Sequence, residues 1–111
     1  MKWTRLLKSY KSEAYQVELI KIENGDWSSY KTKNVMSLKE AKELAKSYVL
    51  PYKDNEDFYI ATVEKGTTYW GESADDFGSE DYILGISNKN DMEIKNVLGS
   101  SYYDFEQIET L

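Results

Sequence analysis

The 111-residue chain contains no cysteine and no histidine, and its only proline is Pro51. Without cysteine there is neither a disulfide framework nor a thiolate nucleophile, which agrees with a reducing, cytoplasmic setting. Without histidine as well, the usual zinc, copper and haem ligand sets are missing. Long apolar runs are also lacking, so no segment reads as a membrane span. Near the start, Lys8 and Lys11 interrupt Trp3, Leu6, Leu7 and Tyr10, and no signal-peptide core is expected there. The six glycines are scattered, and neither a P-loop nor a dinucleotide fingerprint runs through them.

These absences remove most of the residue types on which general acid–base and nucleophilic catalysis rest. A carboxylate pair drawn from Asp75, Asp76, Glu80 and Asp81 is the remaining, glycosidase-like option. Acids in an exposed loop keep ordinary pKa values, whereas catalysis needs them desolvated or coupled. The same stretch is rich in oxygen ligands for calcium. Placing Gly78 at the EF-hand glycine, however, puts Phe77 and Ser73 where ligand acids belong. The sequence thus predicts a non-enzymatic protein without cofactor or metal.

What the chain has is charge, unevenly spread. The overall formal charge is -6, yet Met1 to Lys53 carries eleven Lys or Arg against six Asp or Glu, and Asp54 to Leu111 carries three against fourteen. A basic half is joined to an acidic half, an asymmetry that bears on partners and association rates rather than on fold.

The best-marked element is a helix over about 38–50. Leu38, Ala41, Leu44, Ala45, Tyr48 and Val49 recur at helical spacing, with Lys39, Lys42, Glu43 and Lys46 opposite. Ser37 and Glu40 form an S-x-x-E capping box, and Pro51 stops the helix and biases Leu50 away from helical geometry. Before it, Ala14 to Glu23 reads as a strand whose apolar parity changes between Leu19 and Ile20, implying a bulge or cover on both faces. Asn24-Gly25 predicts a type I′ turn, and Asp26 to Lys33 a polar edge strand.

Phe58 to Glu64 is apolar on both parities and reads as a central strand. Lys65-Gly66 is a turn signal, with Thr67 to Trp70 returning as a hairpin and Glu72 to Asp81 as an exposed loop. Tyr82 to Ser87 and Met92 to Leu98 read as strands. Lys2 to Lys11 and Tyr102 to Leu111 have helical spacing, the latter with Ser101 and Asp104 as a capping pair. Together these predict one α+β domain over 1–111. Its sheet is mainly antiparallel, with about five to six strands built from hairpins, a central helix, short terminal helices, and the helices on one face.

For function, the acidic half reads as a binding surface. Trp70, Phe77, Tyr82, Tyr102 and Tyr103 are interleaved with Glu72, Asp75, Asp76, Glu80, Asp81 and Asp104. Carboxylates steer the encounter with a basic surface and aromatic side chains supply the desolvated contact. If the partner binds nucleic acid, such carboxylates can occupy its phosphate site and block it. Small acidic, cysteine-free chains are a common form of inhibitor of this kind, among them immunity proteins paired with nuclease toxins and phage proteins that disarm host nucleases or CRISPR effectors. The analogy is one of composition; no motif identifies a family.

Two alternatives stay open. One is a nucleic-acid-binding adaptor using Lys2, Arg5, Lys8, Lys11, Lys31 and Lys33 with Trp3, Trp27 and Tyr30 as stacking residues. The other is an assembly component that pairs an exposed strand edge with a second copy.

Overall fold

The computed structural model describes residues 12–68 and 77–111. The expected N-terminal helix therefore lies outside the described residues. The described chain forms a five-stranded sheet and two α-helices: β1 Ser12–Glu23, β2 Asp26–Val35, α1 Leu38–Val49, β3 Phe58–Thr68, β4 Phe77–Ser87, α2 Asp91–Leu98 and β5 Phe105–Thr110. The sheet order is β2-β1-β3-β4-β5. All neighbours are antiparallel except β4 and β5, which run parallel across the connection that contains α2. Among the described residues no helix is long and apolar enough to cross a membrane.

Local chemistry explains the first half well. Asn24 and Gly25 both take positive φ, 53° and 82°, as the I′ turn between β1 and β2 requires. The expected irregularity falls at Leu19/Ile20, where the β1–β2 register shifts and leaves Tyr30 of β2 as the extra residue. That bulge turns the Tyr30 ring edge-on to Tyr59 at 6.0 Å. Ser37 caps α1 by accepting from the Glu40 backbone N–H at 3.2 Å, and its hydroxyl donates to Glu40 Oε1 at 3.4 Å. Pro51 acts differently from expectation. Leu50 keeps right-handed helical geometry, with its N–H bonded to the Lys46 carbonyl, and Pro51 sits in a 3₁₀ turn, Leu50–Tyr52, that continues α1. A proline at the start of a 3₁₀ turn gives up an N–H that had no partner there.

Four further expectations are corrected. Lys65-Gly66 does not turn the chain; β3 runs on to Thr68. A Cβ on Gly66 would collide with the Gly78 carbonyl oxygen and lie 2.8 Å from the Phe77 ring, so this glycine permits a close strand approach. The stretch 77–81 is accordingly strand, not loop. Residues 92–98 are helix, not strand, because Asn90 caps them by accepting from the Glu93 N–H at 2.9 Å, and Ile94 and Leu98 fall one turn apart on the buried side. Finally, 102–111 is not helical: a 3₁₀ segment, Gly99–Asp104, leads into β5, whose backbone pairs with the free edge of β4.

The helices cover opposite faces of the sheet rather than one. On the α1 face, Ala41, Ala45 and Val49 pack on Val17, Leu19, Val35, Tyr59, Ala61, Val63, Leu84 and Ile86. On the other, Ile94 and Leu98 of α2 pack on Ile20, Ile22, Phe58 and Ile60, with Tyr102, Phe105 and Ile108 alongside. The parity change in β1 thus serves both cores, since Leu19 faces one and Ile20 the other.

Candidate acidic and aromatic sheet face

Cross-strand register orders the α2 face into rows. Trp27, Ile22 and Phe58 form one, and Ser29, Ile20, Ile60 and Ser87 the next. Beyond the cover of α2 the rows turn polar: Thr32, Glu18, Thr62 and Gly85, then Asn34, Gln16, Glu64 and Tyr82. The buried polar side chains of the described residues, Asn34, Thr62, Glu64, Thr68 and Ser87, all stand on this face, while the core under α1 is apolar. Buried polar groups are costly unless paired. Gln16 Nε2 donates to Asn34 Oδ1 at 3.0 Å, and Glu64 stands opposite Tyr82.

The sheet also sorts charge. The four strand lysines, Lys21, Lys31, Lys33 and Lys65, stand opposite Tyr59, Leu19, Val17 and Tyr15, which places all of them on the α1 face. Three of them are engaged there. Lys21 pairs with Asp57 at 3.3 Å and Glu23 at 3.5 Å, Lys65 pairs with Glu13 at 3.6 Å, and Lys31 sits 5.4 Å from the centre of the Tyr48 ring. The charged strand residues in the rows of the opposite face are Glu18 and Glu64. Tyr82 reports the resulting field: burial first, then the Glu64 charge, the hydrogen bond to Glu64, and the charges of Glu18 and Asp104 push its hydroxyl up to about 12.

Glu18, Ile20, Trp27, Ser29 and Tyr82 line an open groove of about 180 Å³ on this face. Trp27 is 46% exposed and Tyr82 38%, whereas Glu64 is 8% exposed. The Phe105 ring lies 5.0 Å from that of Tyr82. Among the described residues, Thr62 Oγ1 is the buried side-chain polar atom without a hydrogen-bond partner, and Thr62 sits in the same row as Glu18. No group of three acids among the described residues is placed to hold a metal ion.

The predicted site residues are divided by this geometry. Trp70, Glu72, Asp75 and Asp76 lie outside the described residues. Phe77, next to Gly66, and Tyr82 stand on the α2 face, and Asp104 reaches Tyr82 electrostatically. Asp81 stands opposite Lys65, on the α1 face, and Glu80 is the extra residue of a second bulge in β4; both are exposed. Tyr102 and Tyr103 meet edge-on at 5.2 Å, with the Tyr102 hydroxyl donating to Asp91 Oδ1 at 2.7 Å and Lys95 over its ring at 5.3 Å.

Glu18, Thr62 and Glu64 escape a linear reading for acidic clusters. Parity finds them, since they alternate in step with Ile20 and Ile60. The adaptor constellation is split instead: Lys31, Lys33 and Tyr30 lie on the α1 face, Trp27 on the other, and Lys2, Trp3, Arg5, Lys8 and Lys11 outside the described residues. No protein-family model, curated protein or solved structure matches the chain.

Proposed function

We propose that the protein is a small, non-enzymatic interaction protein of the cytoplasm that binds and inhibits a basic, nucleic-acid-binding protein, and that the α2 face of the sheet is its binding surface. The observation that carries this reading is the sorting of charge by the sheet. Strand lysines are on one face, three of the four already engaged; Glu18 and Glu64, with Trp27 and Tyr82 beside them, are on the other. Exposed aromatic side chains beside carboxylates supply both the steering and the desolvated contact that a cationic protein surface selects. A carboxylate surface competes with phosphate for the same cations. That makes inhibition of an immunity-protein or anti-defence type the natural outcome of binding.

The reading is tested by a tagged pull-down from lysate of the source organism or its host, treated with nuclease and washed at low and at high salt. A basic nucleic-acid-binding protein that survives nuclease and leaves with salt is the expected result, because contacts made by exposed charges are screened. Recovery of nucleic acid, with proteins lost on nuclease treatment, rejects it.

A further inference from the structure

Resting on the reading above, we infer that the groove between Trp27 and Tyr82 receives one arginine side chain of the basic partner. Three observations converge there. The groove is walled by two aromatic residues, Trp27 and Tyr82, and Trp27 is half exposed. Glu18, in the same lining, stands next to the apolar Ile20, so the groove offers a carboxylate beside a surface on which an aliphatic stem can lie. The charged strand residues in the rows of this face, Glu18 and Glu64, are both acids, so the groove favours a cation.

A guanidinium satisfies all three. Its planar face stacks on aromatic rings, its forked N–H donors match a carboxylate, and it is more weakly hydrated than an ammonium, so it enters a half-buried site at lower cost. A lysine ammonium can reach Glu18 but cannot stack or fork. Among the described residues no strand lysine stands in these rows to compete.

The test uses the full chain and two probes, acetyl-arginine amide and acetyl-lysine amide, followed by the indole N–H resonance of Trp27, which the Trp27→Phe variant identifies. The arginine probe is expected to shift this resonance saturably, and the lysine probe to bind about three- to tenfold more weakly. Glu18→Gln should abolish the arginine preference. An unmoved Trp27 resonance, or equal shifts from both probes, overturns the inference. If the pull-down still captures a basic protein through this face, the arginine assignment alone has failed. If it captures none, the functional reading fails with it.

Discussion

Glu64 and Tyr82 stand directly opposite each other in the β3–β4 register, and Glu64 is the charge that bears most on the Tyr82 hydroxyl. This pair sits in the second polar row, one row beyond that of Glu18. Its titration follows from its surroundings. Burial, Glu64, Glu18 and Asp104 all disfavour the phenolate, and the hydroxyl is pushed up to about 12.

A tyrosine whose pKa is higher folded than unfolded keeps its proton in the native state after the unfolded chain has lost it. The stability it contributes is complete below the ordinary tyrosine value of about 10 and is lost as pH rises through about 12. Absorbance titration of the phenolates should therefore show a late tyrosine that disappears in Tyr82→Phe. Glu64→Gln should bring it earlier without restoring the ordinary value, since burial remains. A Tyr82→Phe titration identical to that of the parent would contradict the pair.

Asn88 ties three separate stretches together. Its Nδ2 donates to the carbonyls of Tyr52 at 2.8 Å and Asp57 at 2.9 Å, and its Oδ1 accepts from the Tyr59 N–H at 3.0 Å. Asn88→Ala removes these bonds, of which those to Tyr52 and Tyr59 are partly buried, at a cost on the order of 2–4 kcal/mol. Urea denaturation measures it; a loss below about 1 kcal/mol, the worth of a single bond, would show that water replaces the side chain.

Gly66 tests the extension of β3. A Cβ there meets the Gly78 backbone carbonyl as well as the Phe77 ring. Overpacking of this kind costs about 1–3 kcal/mol. Gly66→Ala should lower the thermal midpoint, and adding Phe77→Ala should not restore it, because the backbone carbonyl stays in place. Full rescue by the second substitution would mean that only the side chain sets the spacing.

Much of the first half of this fold is legible in the sequence because its signals are local. Asn24-Gly25 fixes a turn, Ser37 with Glu40 starts a helix, and the parity change at Leu19/Ile20 announces two cores. The second half depends on contacts distant in sequence. Tyr102, Phe105 and Ile108 have helical spacing, yet the free edge of β4 takes Phe105–Thr110 as a strand, since pairing outweighs a weak local preference. Residues 92–98 carry an N-cap, Asn90, whose turn chemistry also fits a hairpin.

The proposed binding face is legible only in part for a related reason. Asp81 and Tyr82 are neighbours in the chain, but their registers send them to opposite faces. Glu18 and Glu64 are far apart in the chain, yet they stand in adjacent rows of one face. An acidic run in the sequence is therefore not an acidic patch on the sheet.

The most direct test is to repeat the pull-down with Glu18→Lys combined with Trp27→Ala, beside a control that reverses Glu43 on α1. Glu18 is only half buried, and Trp27 and Glu43 are exposed, so both variants should keep thermal midpoints close to that of the parent. The account predicts that the sheet-face variant loses the basic partner while the α1 control retains it. Retention by the sheet-face variant, or loss confined to the α1 control, would contradict it.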